Sequence, residues 1–311
     1  MLQEILSQCE FPAFLVGNGI HLYDTNEEDR MTWEKIIQKL EDKINSKFSE
    51  RISDDSGTHS NNYLEDLSLT ERFDLIRLKA DQPEIHGEIQ KTLIEQLGGL
   101  SLSKKPHIQG ICELAAEKNI PILTTNFDAA LSTANGNYRL QGFQKLSPSK
   151  CSVHYPWNSF YHTKSSPRAD LLSHRIWHIH GTVNYTSSIR LGLRDYMGAV
   201  SKARNLIHRT EDSLYKGKDT NKWAGLDTWM NPFFNCDLII FGLGLKSNEI
   251  FLRWLLIERA GYFNKYTYRR RKLYYLTVKE EGSPSQKAFI QGVGGDYKEY
   301  ENHDELYSNF S

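Results

Sequence analysis

Cysteine is scarce: four residues in 311, at Cys9, Cys112, Cys151 and Cys236, with no CxxC pair among them. Structural zinc modules draw pairs of thiolates from tight turns, so no zinc is expected. So few thiols in so long a chain also exclude a disulfide scaffold, and they read as reduced and mostly buried. No apolar run approaches the ~20 residues that cross a bilayer, and the mean hydropathy is -0.56. The opening MLQEILSQCEF lacks the basic-then-apolar layout of a secretory leader. A soluble cytoplasmic protein, away from membranes, is the expectation. Charge of one sign is not in excess either, with 38 basic and 39 acidic side chains. Nucleic acid is therefore not expected as a direct ligand. Internal repeats and low-complexity segments are also absent.

What is present suits a packed core: 39% hydrophobic and 25% charged residues. The length allows one large α/β domain with insertions, or two small domains. Phe11–Val16 is a short apolar run stopped by Gly17-Asn18-Gly19, which predicts a buried strand ending in a tight turn. A helix follows from Thr32, with Trp33, Ile36, Ile37 and Leu40 at helical spacing. Residues 50–60 are turn-rich. Helical periodicity then runs through Phe73, Ile76, Leu78, Ile89, Leu93 and Leu97 to Gly98-Gly99, which predicts a helical insertion over 49–105.

A second helix over 106–118 leads into the apolar strand Ile120–Thr124, and Ile176–His180 alternates into a turn at Gly181. Residues 141–172 and 200–232 read as irregular inserts, the Lys-rich part of the second as helix and loop. Cys236–Phe241 predicts a buried strand, Phe251–Ala260 a helix, and Lys272–Val278 a final strand. Residues 286–311 form a tail without pattern. The alternation predicts an α/β fold: a Rossmann-like parallel sheet with helices on both faces, its core at 1–48 and 106–285.

Four motifs sit at predicted strand ends: Val16-Gly17-Asn18-Gly19-Ile20-His21, Thr124-Thr125-Asn126-Phe127-Asp128, His178-Ile179-His180-Gly181-Thr182 and Phe241-Gly242-Leu243-Gly244. In open α/β sheets ligands gather at that end. Each motif also has a plain structural reading. A GxG turn without the full GxGxxG fingerprint is more often only a tight turn. Asp128 suits a helix cap. A lone His180 is more often structural, and His178 shares its strand face unless the strand breaks. Ser247, Asn248 and Glu249 after the second glycine loop suit either a ribose contact or a helix start with Ser247 as cap. The basic run KYTYRRRK at 265–272 reads as a solvated loop before an edge strand.

Taken in order, the segments resemble those of the SIR2 (sirtuin) superfamily. Its GAGIS-type loop corresponds to Gly17-Asn18-Gly19-Ile20 and its TQNID-type motif to Thr124-Thr125-Asn126-Phe127-Asp128. Its His-Gly pair corresponds to His180-Gly181, and its late glycine loop to Gly242-Leu243-Gly244. The resemblance covers residues 11 to 280, in these patches only. It implies NAD+ as substrate across the carboxyl edge of the sheet, held by Gly17, Asn18, Gly19, Thr125, Gly242, Gly244 and Ser247. It implies that Asn126 holds the nicotinamide ribose or the attacking water and that His180 is a general base. Asp128 would orient the asparagine loop or a ribose hydroxyl.

Cleaving the N-glycosidic bond builds positive charge on the ribose, as in other glycosyl transfers, and an unperturbed histidine accepts a proton at neutral pH. The departures are Asn18 for alanine, His21 for serine, Thr125 for glutamine, and no zinc-ribbon CxxC pairs, which argues against an acyl-lysine groove. The pattern is similar to that of bacterial SIR2-like antiphage effectors. These are NAD+ glycohydrolases that stop growth by destroying NAD+, are silent until a separate sensor or activator protein signals infection, and work as homo- or hetero-oligomers. A non-catalytic NAD+ or ADP-ribose-binding module, an ADP-ribosyltransferase and a deacylase remain as alternatives.

Overall fold

Residues 1–23, 32–49, 67–79, 83–102, 105–134, 139–142, 157–162, 172–216, 220–246 and 249–310 are described in the computed structural model. Helix α1 (Leu2–Gln8) leads into β1 (Pro12–Val16), the short α2 (Gly19–Leu22) and α3 (Trp33–Ser49). Next come α4 (Leu69–Lys79), α5 (Pro83–Leu102), α6 (Pro106–Glu117), β2 (Ile122–Thr124) and the one-turn α7 (Ala130–Thr133). Then follow β3 (Arg139–Gly142), β4 (Ser159–His162), β5 (Ile176–His178), α8 (Leu193–Arg204) and α9 (Met230–Asn235). The chain continues through β6 (Asp237–Phe241), α10 (Ile250–Lys265), β7 (Leu273–Val278), α11 (Pro284–Gly292), β8 (Asp296–Tyr300) and α12 (His303–Tyr307).

One eight-stranded sheet results, in the order β3-β4-β5-β2-β1-β6-β7-β8. The six strands from β5 to β8 are parallel, whereas β4 runs antiparallel to β5, and β3 antiparallel to β4. Strands β2, β5, β6 and β7 are buried along their whole length, as a parallel sheet covered on both faces requires. The period of two assigns the layers. Ala13, Leu15, Leu123, Trp177, Leu238 and Ile240 pack on α8, α9 and α10. Phe14, Val16, Ile122, Ile176, Ile239 and Phe241 pack on α1, α6 and α12. Each aliphatic side chain buried in this way contributes roughly 1.5–3 kcal/mol. The Rossmann-like α/β architecture follows.

The helices read as an insertion, α4 and α5, make a third apolar cluster with α3. Ile36, Ile37, Leu40 and Ile44 of α3 meet Phe73 and Ile76 of α4 and Ile89, Leu93 and Leu97 of α5, together with Phe127, Ile189 and Leu191. Phe127 follows β2, so this cluster grips the loop at the carboxyl edge of the sheet.

Three sequence expectations need correction. The tail at 286–311 is not patternless: α11, β8 and α12 extend the sheet, β8 pairs with β7, and Leu306, Tyr307 and Phe310 enter the core. Lys272–Val278 is therefore not the last strand. Strand β8 reads DYKEY and buries only Tyr300 fully, because an edge strand needs no apolar alternation. The segment 141–172, expected to be irregular, contributes β4 and the end of β3. Within 200–232, α8 continues into a π-helical turn at Asn205–Arg209, and α9 begins at Met230.

The amino edge is fixed by two buried charges. Asp237 Oδ2 accepts from Glu10 N (2.8 Å) and Phe11 N (3.2 Å), and its Oδ1 accepts from Lys272 N (2.7 Å). The Arg259 guanidinium donates to the carbonyls of Phe233 (3.0 Å), Cys236 (2.9 Å) and Lys272 (3.0 Å). Cys9, Cys112 and Cys236 are free thiols, while Cys151 lies outside the described residues. Burial pushes the Cys112 thiol up to about 12. Among the described residues no helix is long and apolar enough to cross a membrane.

Candidate functional site

The strand order reverses at β1: the chain passes from β1 to β2 on one side, and β6 returns on the other. A crevice at the carboxyl ends of such strands is where open α/β sheets bind ligands. The loops after β1 and β6 meet there. Gly17 N donates to Phe241 O (3.1 Å) and Gly19 N to Gly242 O (2.7 Å). A Cβ on Gly17 would lie 2.3 Å from Gly242 O, and one on Gly19 would lie 2.7 Å from Gly242 Cα. These glycines thus let two backbones touch, and the N–H groups of Gly17 and Gly19 are already engaged. Gly17, Gly19 and Gly242 stand behind the site rather than lining it. Gly244 is exposed and its carbonyl accepts from Gln286 Nε2 (2.5 Å); Ser247 lies outside the described residues.

Asn18, Thr125, Asn126, Asp128 and His180 all line one cavity, which holds about 540 Å³ of space counted to its open mouth. Trp33, Ile36 and Leu97 from α3 and α5, together with Tyr196 and Glu249, complete the wall. The asparagine is set by its neighbours. Thr124 Oγ1 donates to Val16 O (3.0 Å) and accepts from Asn126 N (3.1 Å). Asn126 Nδ2 donates to Gly17 O (3.3 Å), which leaves Oδ1 buried with no hydrogen-bond partner among the described residues. His178 Nδ1 donates to Asn126 O (2.8 Å). Phe127 turns aside to stack on Trp33, with centroids 5.1 Å apart.

Asp128 stands just before α7, whose N-cap is Ala129 without a side-chain cap. Its Oδ1 accepts from Ala130 N (2.9 Å), and its Oδ2 lies 2.9 Å from His21 Nε2. Burial alone would raise its pKa, but the His21 imidazole, its hydrogen bond and the Ala130 N–H hold the carboxyl below the usual range. With both oxygens engaged, Asp128 positions the loop. His21 in turn sits on an anchored α2: His107 Nε2 donates to Ile20 O (2.7 Å), and Lys105 Nζ to His21 O (3.0 Å) and Tyr23 O (2.6 Å).

Strand β5 stops at His178, so the two histidines part. His178 packs edge-on to Tyr161, whereas His180 packs edge-on to Tyr196 at 5.4 Å. Gly181 makes the break, with φ +98 and a Cβ position 2.3 Å from Ser188 O. Among the described residues no three His, Cys, Asp or Glu side chains are grouped to hold a metal. His180 Nε2 is buried with no hydrogen-bond partner among the described residues. Burial drives its pKa down to about 4, so the ring is neutral at neutral pH. Burial also lowers His178, against the opposing pull of the Asn126 carbonyl and Asp128.

Sequence reasoning offered Glu249 only with Ser247 and Asn248, as a ribose contact or a helix start, and passed over Tyr196 altogether. Burial raises Glu249 to about 7 and Tyr196 well above its ordinary value. The one signal for Glu249 was its place between a glycine loop and a helix; Tyr196 had none.

A stability effect follows from His180. The unfolded histidine titrates near ~6.5 and the folded one near about 4, so between these values the unfolded chain binds more protons. Stability is full above the higher value and is lost as pH falls towards the lower, by about 3 kcal/mol. Urea midpoints measured across that window should fall in the parent and fall less in His180→Gln.

No protein-family model matches this chain, and no curated protein matches it.

Proposed function

We propose that the chain is an NAD+ glycohydrolase that cuts the nicotinamide–ribose bond to give nicotinamide and ADP-ribose. One observation carries this reading: Asn126 Oδ1 and His180 Nε2, two buried polar atoms with no hydrogen-bond partner among the described residues, belong to residues of one cavity at the switch point of the sheet. Buried polar atoms are rarely left unsatisfied, and a ligand hydroxyl or water would pair with both. In the reaction the C1′–N bond breaks and nicotinamide leaves with the electron pair. Water adds to C1′ of the oxocarbenium-like ribose, and its proton passes to neutral His180. Asn126 holds the water or a ribose hydroxyl. Asp128 with His21, and His178, position the asparagine loop. None of these steps asks for zinc.

The same reading makes the chain a cytoplasmic SIR2-like effector of bacterial antiphage defence, switched on by a separate sensor or activator protein within a homo- or hetero-oligomer. The ordered motifs and the lack of CxxC pairs support that role. So does the wall of the cavity: Trp33, Ile36 and Leu97 belong to the helical cluster, so a partner that shifts α3 or α5 would change access.

The test is to incubate the protein with NAD+, alone and with the product of the neighbouring gene, and to follow nicotinamide and ADP-ribose by chromatography. Equal release of both is the expected result. Tight binding by calorimetry with NAD+ intact in every tube would make the chain a binding module. ADP-ribose retained on protein would make it a transferase.

A further inference from the structure

We propose that Glu249 is the residue that selects the positively charged, oxidised nicotinamide ring over the uncharged reduced ring. The inference rests on the NAD+ reading above and names the chemical form of substrate that the cavity takes.

Glu249 immediately precedes α10. Its N donates to Lys246 O (2.9 Å) and its O accepts from Arg253 N (3.1 Å), so the main chain is anchored while the side chain lines the cavity beside Asn126 and His180. Among the described residues no donor or cation is hydrogen-bonded to its carboxyl. Asp128, the other acid of the wall, has both oxygens engaged. No lysine or arginine lines the cavity among the described residues. A half-buried carboxyl without a counter-ion among the described residues is disfavoured as an anion, and it gains where a ligand brings the missing positive charge. A pyrophosphate would find no cation among the described residues of this wall, whereas a pyridinium ring would meet Glu249.

The charge of the ring then couples to protons. Burial holds Glu249 near about 7. The groups that share its surroundings are Tyr196 and Asp195 of α8, His180 after β5, Asp128 after β2, and Lys246 and Arg253 on its own segment. His180 titrates near about 4, Asp128 lies below the usual range and Tyr196 well above its own, so none of these three changes charge near neutrality. A bound cation favours ionised Glu249, so binding expels a proton. Affinity for a cationic ring should then rise about tenfold from about pH 6 to about pH 8.

The experiment is calorimetric titration of the parent and Glu249→Gln at those two pH values, with NAD+, NADH, nicotinamide and its N-methyl cation as ligands. Thermal melts confirm that the variant is folded. The parent is expected to bind NAD+ and the N-methyl cation about tenfold tighter at the higher pH, with NADH and nicotinamide indifferent to pH. Glu249→Gln should abolish both the pH dependence and the preference for the cation. If NAD+ binds with no pH dependence, or Glu249→Gln keeps it, the selection is overturned and the NAD+ reading stands. If neither dinucleotide binds at either pH, the NAD+ reading itself fails, and the selection with it.

Discussion

If the chain cleaves NAD+ as proposed, His180→Ala is expected to lower the rate by about 10²–10⁴-fold, the usual contribution of a positioned general base, while the protein stays folded. Burial makes His180 neutral at working pH, and its Nε2 has no partner among the described residues that would compete for a proton. Its ring neighbours among the described residues are Tyr196 and Phe251, at 5.4 and 6.2 Å, so its removal leaves a small void rather than a broken network. It also removes a group that is costly to protonate in the fold, so the variant should resist mild acid better than the parent. His178→Ala is the control for an indirect role. It frees the Asn126 carbonyl and should lower both activity and stability. A His180→Ala rate equal to the parent's would take the residue out of the chemistry.

The central strands were legible because burial on both faces leaves a continuous apolar run. Phe11–Val16, Ile120–Thr124, Cys236–Phe241 and Lys272–Val278 all show one, and a glycine directly follows the first and the third. Helical spacing likewise identified Phe73, Ile76, Ile89, Leu93 and Leu97, which share one cluster, although Leu78, read with them, is 64% exposed. Edge strand β8 escaped because half of it faces water. The structure brings Asn126, Asp128 and His180 of the carboxyl-end motifs into one cavity, because strand ends converge in an open sheet. The glycines were harder to read. Sequence shows that a position tolerates close approach but not what approaches, and here it is the other loop. The His21–Asp128 pair and the Tyr196 and Glu249 walls depend on contacts between distant segments, and no local spacing encodes those.

Arg259→Met is expected to cost about 3–5 kcal/mol of stability, the scale of breaking a buried charged network. The guanidinium is almost fully buried, and its three bonds hold the carbonyls of Phe233, Cys236 and Lys272. Methionine preserves much of the volume and the packing on Phe263 but supplies no donor, so three buried acceptors lose their partner at about 1–3 kcal/mol each before relaxation. Burial pulls the Arg259 pKa down to about 9, with nearby Asp237 resisting, so the group is still a cation at neutral pH and its loss also removes one positive charge near Asp237. Urea unfolding should show a lower midpoint with an unchanged slope, and a loss below about 1 kcal/mol would mean that water or a shifted side chain reaches the carbonyls. The folded fraction of this variant should bind NAD+ as the parent does, because Arg259 acts where β6 and β7 begin and the cavity lies where β1, β2 and β6 end. His180→Ala and Arg259→Met thus separate the two edges of one sheet, with activity lost at the first and stability at the second.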